Sequence, residues 1–404
     1  MLRKVFKLNL SLQLLAVVFA ALFFGNALSE TTQAFFYAVS VSLKNILLFI
    51  LPAVIFSCLF SCLLTFRGRR AVGFMLILFA IVCLSNYLST LIAYGTGALK
   101  LIHIEALGAH NASSIPELLP LWQLTLPEWL SNDNALYLGF GLGAFFSFYP
   151  NTLAYRFSIQ ARQAVTVFLE KAFIPILPLF ALGFILKMQH DGFLAQLVQS
   201  YLSLMLIIVL AYIIYLGFIF LLAANFNPKQ WFTYIKNVFP VALMGFSTMS
   251  SLATMPVTLR AAEKNTGNID IARAVIPATV NVHMVGVSLG IPLMALTLLL
   301  SFGHEYPSFA TYCQFAVYFV LTQFAVAGVP GGAILVLLPL LETHLGFNSE
   351  MSVLITALYI LFDPVVTTTN VIGNSALVIM VSKLFRFLTG KTTESAIAEE
   401  ISSI

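Results

Sequence analysis

Charged side chains are scarce in this chain. They account for 9% of its 404 residues, whereas hydrophobic residues account for 60%. Soluble globular proteins contain about 25% charged residues, so the composition excludes an ordinary soluble domain. The net charge of +4 gives no indication of nucleic-acid binding. We therefore expect an all-α polytopic membrane protein in a lipid bilayer, with room for about eight to ten spanning or re-entrant segments of about 20 residues each.

Cysteine is rare as well, and no motif for covalent chemistry is legible. The four cysteines, Cys58, Cys62, Cys83 and Cys313, all lie in apolar segments, where a lone cysteine behaves as a small hydrophobic residue. Their spacing matches neither a zinc site nor a thioredoxin motif. The sequence contains no recognisable catalytic triad or phosphate-binding loop. It therefore predicts neither an enzyme nor a bound cofactor.

Long apolar runs predict the helices. We expect helices near residues 9–29, 35–65, 72–99, 134–150, 160–188 and 194–224, and a last long helix near 351–386. The first apolar run, Leu8 to Phe24, is longer than the apolar core of a usual signal peptide, so we interpret it as the first transmembrane helix. The polar end of the chain, Gly390 to Ile404, is expected to be a disordered tail.

Two interrupted segments indicate hairpins that enter the membrane and return. The first has arms at Trp231–Leu243 and Ala253–Ala262 with a Ser- and Thr-rich tip, and basic residues flank it at both ends. The second has arms at Thr311–Val326 and Ala333–Leu345 around the tip Gly328–Gly332. These last arms have about 16 and 13 residues, fewer than the roughly 20 that a full span requires. Paired interrupted segments are a sequence indicator of a transporter binding site.

Basic residues predict the orientation, because cytoplasmic connections of membrane proteins are enriched in Lys and Arg. Such residues precede the first predicted helix, follow the second, separate the fourth from the fifth and end the last: Arg3, Lys4, Lys7, Arg67, Arg69, Arg70, Arg156, Arg162, Lys383, Arg386 and Lys391. No Lys or Arg occurs between Ala274 and Ser382. Eight crossings place all these clusters on one side. We expect a multi-pass protein of a cell membrane, inner or plasma, with both termini cytoplasmic.

A polar stripe interrupts the last apolar segment. Asp363, Thr367, Asn370 and Asn374 follow the spacing i, i+4, i+7 and i+11, which places them on one face of a helix. A carboxylate at membrane depth is costly and usually functional. The neighbouring Pro364 removes a backbone hydrogen bond, so we expect a loosened helix there. A stripe of this kind requires polar partners or a wet cavity, and it indicates a solute path.

Four local motifs, in order over about residues 1–390, resemble the sodium:dicarboxylate symporter family, which includes glutamate, aspartate, neutral amino-acid and C4-dicarboxylate carriers. The motifs are Leu43-Lys44 followed by Pro52; Ser250-Ser251-Leu252-Ala253-Thr254-Met255-Pro256-Val257-Thr258; Gly328-Val329-Pro330-Gly331; and Asp363 followed by Thr367 and Asn370-Val371-Ile372-Gly373-Asn374. Each motif alone is weak, but four in the family's order are a specific signal.

The resemblance implies eight transmembrane helices and two re-entrant helical hairpins, usually in a homotrimer. Residues 1–224 would be mainly the trimerisation scaffold with part of the transport domain, 225–388 the transport core, and 389–404 a cytoplasmic tail. In the family, the hairpin tips and the eighth helix enclose a small-molecule substrate. The corresponding residues here are Ser250, Ser251, Gly328, Val329, Pro330, Gly331, Asp363, Thr367 and Asn370.

The chain departs from the family pattern at charged positions. Members with acidic substrates carry an Arg where this chain has Val366, so a neutral amino acid is favoured over a dicarboxylate. Two Asp residues that help to bind sodium are replaced by Val285 and Asn374. His283 occupies an Asn position in the motif of the seventh helix. We therefore expect His283, Asn370 and Asn374 to form a proton or cation site, with Na⁺ as the alternative coupling ion and no other metal.

The expected function is a secondary active symporter of a small amino acid or organic acid, coupled to H⁺ or Na⁺ and working by elevator-type alternating access. Two alternatives from other classes stay open. One is a channel-like or non-transporting homologue whose coupling sites have decayed, which Val285 and Asn374 would fit. The other is an intramembrane enzyme, which would require a nucleophile and a base that the sequence does not reveal.

Overall fold

The computed structural model describes residues 10–64, 69–99, 118–127, 129–168, 171–172, 174–190, 194–326 and 331–389. Through these residues the chain forms helices, turns and irregular segments but no strand. Three residues of the predicted substrate site, Gly328, Val329 and Pro330, lie outside the described residues. So does the predicted tail from residue 390 onward.

Fourteen α-helices run through the described part of the chain. They are α1 Leu10–Phe24, α2 Glu30–Leu64, α3 Arg69–Ala98, α4 Asn132–Phe148, α5 Thr152–Phe168, α6 Leu177–His190, α7 Leu194–Ala223, α8 Pro228–Thr248, α9 Ser251–Thr266, α10 Ile269–Thr279, α11 Val285–Ser301, α12 Phe309–Gln323, α13 Gly332–Leu345 and α14 Ser349–Thr389. Short 3₁₀ turns occur at Gly25–Ala27 and Ile174–Ile176.

The predicted helix at 160–188 is wrong as a single element. The structure has α5, then a 3₁₀ turn at Ile174–Ile176, and then α6. Pro175 lies within that turn and Pro178 in the first turn of α6. Proline has no N–H to donate and is tolerated at the start of a helix rather than inside it. The prolines therefore separate what the apolar pattern alone would join.

Four helices are long and apolar enough to cross a membrane, judged by their length and composition within the described residues: Glu30–Ser61, Ile77–Ala98, Tyr201–Ala223 and Ser349–Arg386. Four shorter helical segments are also apolar, namely Asn134–Phe148, Pro178–Lys187, Val285–Ser301 and Gly332–Leu345. The helical, apolar character of the fold agrees with the expected membrane protein. The count of eight spans and the re-entrant course of the hairpins stay predictions.

The chain divides into two compact units. The first contains Met1–Leu64, Thr96–Leu206 and Leu293–Phe362. In this unit α2 packs against α4, α5 and α6, and α12 packs against α13. Two ion pairs with a buried lysine join its helices: Lys44 Nζ lies 2.8 Å from Glu342 Oε1, and Lys187 Nζ lies 2.9 Å from Glu350 Oε1.

The second unit contains Thr65–Gly95, Ile207–Pro292 and Asp363–Ile404. Here α8 and α9 pack against each other as a helical hairpin, and α10 packs against α9. Asn227 caps the start of α8 by accepting hydrogen bonds from two backbone N–H groups, which is a preferred role of Asn at this position. This unit holds most of the residues that the sequence places in the site.

Candidate functional site

The polar stripe of α14 is present and buried. Asp363, Thr367, Asn370 and Asn374 are 4%, 5%, 5% and 1% exposed. The Thr367 hydroxyl donates to Asp363 Oδ1 over 3.3 Å. The expected loosening at Pro364 is not observed, since α14 runs through this residue as one helix.

A break between α10 and α11 faces part of this stripe. Helix α10 ends at Thr279 and α11 begins at Val285. Between them, the N–H groups of Val280 and His283 still donate to Ile276 O and Thr279 O, each over 2.9 Å, but the chain is not helical. Buried non-helical backbone must find other partners, above all in a membrane. Asn86 of α3, which is fully buried, supplies two of them. Its Nδ2 donates to Val282 O over 2.8 Å, and its Oδ1 accepts from Met284 N over 3.1 Å.

Other side chains bind further backbone groups of this segment and of the first turn of α11. Asn370 Oδ1 accepts hydrogen bonds from the first N–H groups of α11, 2.8 and 3.4 Å away. Tyr212 donates its hydroxyl proton to Gly286 O over 2.6 Å. Asn374 Nδ2 donates to His283 O over 3.3 Å. The stripe of α14 thus supports the broken helix through two of its four members.

His283 lies in the break and is 1% exposed. Its Nε2 is 2.9 Å from Ser85 Oγ, and either atom can be the donor. Its Nδ1 is buried and makes no hydrogen bond with the described residues. The same holds for Asn374 Oδ1, beside the imidazole, and for Asn281 Oδ1. Three buried polar atoms without a hydrogen-bond partner among the described residues therefore occur in the break and on the helix face that supports it.

Two glycines allow the close approach of α11 and α14. A Cβ atom at Gly286 would lie 2.5 Å from the carbonyl oxygen of Val366, and one at Gly373 would overlap the Val285 side chain. A side chain at either position would push the helices apart. The contacts of Asn370 and Asn374 with the break depend on this separation.

The first hairpin places Ser250 and Ser251 at its turn. Met249 adopts the left-handed conformation, with φ of 50°, and ends α8. Ser250 then caps α9 by accepting from Ala253 N over 3.3 Å. Its geometry thus includes the structural role of a cap. Helix α8 packs against α14, because Gly245 lies next to Val371 and the Thr368 hydroxyl reaches a carbonyl of α8.

Gly331 belongs to the other unit. It precedes α13 with φ of 71°, a conformation that residues with a Cβ rarely adopt. The structure therefore places Ser250, Ser251, His283, Asp363, Thr367, Asn370 and Asn374 in the second unit and Gly331 in the first.

Anionic groups do not cluster in the described part of the molecule. No three His, Cys, Asp or Glu side chains among these residues are close enough to hold a metal ion. Val285 and Val366, which replace charged residues of the family pattern, are both fully buried.

The sequence analysis missed Ser85, Asn86 and Tyr212. For Ser85 and Asn86 the sequence does contain an indication of a buried polar site. Ser85-Asn86 and Ser89-Thr90 are polar pairs one helical turn apart inside an otherwise apolar run, and Asn86, Ser89 and Thr90 are fully buried. Polar side chains inside a membrane helix are costly unless they have partners. Tyr212 gave no comparable signal, since several Tyr residues occur in the same apolar run.

A buried polar helix face that packs on a broken helix, among helices that are otherwise apolar, is typical of membrane proteins that bind polar solutes. Comparison with protein families identifies the family. The sodium:dicarboxylate symporter family matches residues 10–384, so this chain belongs to that family. Family membership and the apolar helices together identify a multi-pass membrane protein.

Individual relatives are more distant. Excitatory amino acid transporter 1 of Homo sapiens is 27% identical over 216 residues, which cover 53% of this chain and 39% of that protein. The Rattus norvegicus protein of the same name is 28% identical over 216 residues. Excitatory amino acid transporter 4 of Rattus norvegicus is 29% identical over 162 residues, or 40% of this chain and 28% of that protein. The chain thus matches less than half the length of these relatives.

Proposed function

We propose that this protein is a secondary active symporter of a small amino acid or organic acid. In this proposal a cation drives uptake, the transport core moves by an elevator-type mechanism, and the protein assembles as a homotrimer with both termini in the cytoplasm. The observation that carries the proposal is the buried polar face of α14 packed against the break between α10 and α11. The family match and the names of the amino acid transporters above support it.

Asp363 is the proposed partner of the substrate amino group. Its carboxylate is 4% exposed and accepts a weak hydrogen bond, 3.3 Å long, from Thr367. A carboxylate pairs with an ammonium group through charge-assisted hydrogen bonds. The fully buried Val366 offers no guanidinium for a second carboxylate. This supports a substrate with one carboxylate, which the N–H groups of a hairpin tip would bind, rather than a dicarboxylate.

His283 is the proposed proton site. A proton on Nδ1 would give this atom a donor function toward a neighbouring acceptor such as Asn374 Oδ1, and neither atom has a protein partner among the described residues. Imidazole exchanges protons at physiological pH, whereas Val and Asn do not. The rival site is Na⁺ held by backbone carbonyls of the break with Asn281 or Asn374.

Uptake into proteoliposomes tests the coupling ion. We expect a proton gradient in sodium-free buffer to drive uptake of radiolabelled neutral amino acids such as alanine and serine. In His283→Gln, which keeps a hydrogen-bonding side chain but cannot become a cation at neutral pH, this uptake should lose its pH dependence. Ser89→Ala is the matched control, because Ser89 is a buried α3 hydroxyl bonded to Tyr215 and not to the imidazole.

Two results would contradict the coupling proposal. Strict dependence on sodium, with an unchanged pH profile in His283→Gln, would favour the carbonyl site. Ion currents that neither saturate with solute nor exchange it would indicate the channel-like homologue instead.

A separate experiment tests the orientation of the chain in the membrane. A cysteine at Gly332, in a background without the four native cysteines, should react with an impermeant reagent from outside the cell, and labelling only from inside would overturn the topology.

A further inference from the structure

A cleft of about 420 Å³ lies within the first unit, apart from the polar stripe of α14. Its walls come from α2, from the segment that precedes α4, and from α13. The lining is mixed: Phe49, Leu126 and Pro339 contribute apolar surface, while Asn132 and Glu342 contribute acceptors. Its volume falls within the range of about 300–1,000 Å³ that is typical of small-molecule sites.

Glu342 gives the cleft an anionic group with unused capacity. Its side chain is 24% exposed. Lys44 Nζ at 2.8 Å and the Ser352 hydroxyl at 2.7 Å both bind the same oxygen, Oε1. Neither contact involves Oε2, and a carboxylate accepts about four hydrogen bonds in total. Lys44 already has two partners, Glu342 and Ser349, because it also donates to Ser349 Oγ over 3.2 Å.

Asn132 supplies a second acceptor. Its Oδ1 is buried and makes no hydrogen bond with any described residue. A buried amide oxygen without a donor is unfavourable, because it has lost its hydrogen bonds to water and gained none in the protein. The segment that carries it is held in place, because Trp129 donates its indole proton to Phe49 O over 2.7 Å and Asn45 donates to Leu124 O over 2.7 Å. The wall of the cleft is therefore fixed on α2.

We propose that this cleft binds a small organic ammonium ion with an apolar body. The ammonium group would donate to Glu342 Oε2 and Asn132 Oδ1, while the body would contact Phe49, Leu126 and Pro339. Hydrogen bonds with an ionised partner are about twice as strong as neutral ones. A carboxylate ligand would meet two acceptors and no uncommitted cation among the described lining residues, so the site selects against anions.

Binding of 2-phenylethylammonium to the full chain in detergent tests the proposal, with 2-phenylethanol and 3-phenylpropanoate as ligands of similar shape. Isothermal titration against empty micelles measures each affinity. We expect the ammonium ion to bind about tenfold more tightly than the alcohol, from a difference of about 1.4 kcal/mol, and the carboxylate not to bind. Higher salt should weaken ammonium binding and leave alcohol binding unchanged.

Substitutions test which side chains accept hydrogen bonds from the ammonium group. Glu342→Gln should reduce ammonium affinity about tenfold and change alcohol binding by less than about twofold. Because this change leaves Lys44 without its partner, the double variant Lys44→Met with Glu342→Gln serves as the charge-balanced version and should give the same loss. Asn132→Leu should weaken ammonium binding independently. Glu350→Gln is the matched control, since it removes a carboxylate of the other ion pair, with Lys187, outside the cleft.

The outcomes are decisive in either direction. Equal affinities for the ammonium ion and the alcohol, or ammonium binding that survives the double variant, would overturn the proposal, as would preferred binding of the carboxylate. The assay requires no transport and uses no residue of the proposed substrate site. A failure here therefore leaves the proposed symport untouched, and failed symport leaves this site untouched.

Discussion

Asn86→Leu is the sharpest test of how the broken helix is held. Leu has nearly the shape of Asn but can neither donate nor accept. The substitution removes the hydrogen bonds to Val282 O and from Met284 N, which are 2.8 and 3.1 Å long. Both backbone groups lie outside helical hydrogen bonding, so both lose a partner that the chain cannot replace locally.

The size of the stability loss distinguishes two descriptions of a buried hydrogen bond in a membrane protein. A buried backbone group without a partner is unfavourable by about 1–3 kcal/mol, so two groups predict a loss of about 2–6 kcal/mol in the free energy of unfolding. Hydrogen bonds between membrane helices contribute about 0.6 kcal/mol on average, which would predict a loss of only about 1.2 kcal/mol. Leu gains little by burial, because the unfolded helices are also in an apolar environment. We expect the larger loss.

Denaturation of the purified protein in mixed micelles, followed by the fluorescence of its three Trp residues, measures the difference. Thr90→Val is the matched control. Thr90 is equally buried on α3, and its hydroxyl donates to Asn86 O, a carbonyl of its own helix, over 3.0 Å. This variant should lose about 0.6 kcal/mol or less. If Asn86→Leu is no worse than Thr90→Val, the break does not depend on Asn86 and our account of it is wrong.

Three further substitutions test other parts of the second unit. Asp363→Asn should abolish saturable substrate binding and leave membrane insertion unchanged, because the amide can still accept the Thr367 hydroxyl proton but carries no charge. Unchanged saturable uptake would reject the role of Asp363. Val366→Arg should shift substrate preference from alanine toward aspartate, or block the site, since Arg is the bidentate partner of a carboxylate. Unaltered affinities in competition assays would place residue 366 away from the substrate. Gly286→Ala should lower the free energy of unfolding by about 1–3 kcal/mol, because its Cβ would lie 2.5 Å from Val366 O; wild-type stability would show that α11 and α14 separate without penalty.

Sequence patterns predicted those features that depend on local chemistry. The apolar runs gave helices close to the observed ones, and the spacing of Asp363, Thr367, Asn370 and Asn374 predicted one buried face. The pattern failed where local and tertiary effects compete. It joined α5 to α6 across Pro175, and it predicted a looser helix at Pro364, where α14 is continuous.

The partners of the break could not be predicted in the same way. Asn86 lies nearly 200 positions before Val282 and Met284 in the chain, and no periodicity links residues so far apart. The polar pairs of α3 would at most indicate that a buried Asn needs a partner, and the identity of that partner depends on how α3 packs. His283 was predicted to lie in a helix. Its true position, in the non-helical segment between α10 and α11, follows from side chains on three other helices.

This arrangement bears on the coupling ion. The carbonyl groups of Val282, His283 and Gly286 already accept hydrogen bonds from Asn86, Asn374 and Tyr212. A carbonyl oxygen has a second lone pair, but a Na⁺ ion there would compete with donors that hold the break in place. A proton on His283 requires no such rearrangement, because Nδ1 has no donor among the described residues and Asn374 Oδ1 is an unused acceptor beside it. The replacement of two acidic residues by Val285 and Asn374 removes the negative charge that would favour Na⁺. The proposed proton coupling therefore predicts uptake in sodium-free buffer, and strict dependence on sodium would favour Na⁺ instead.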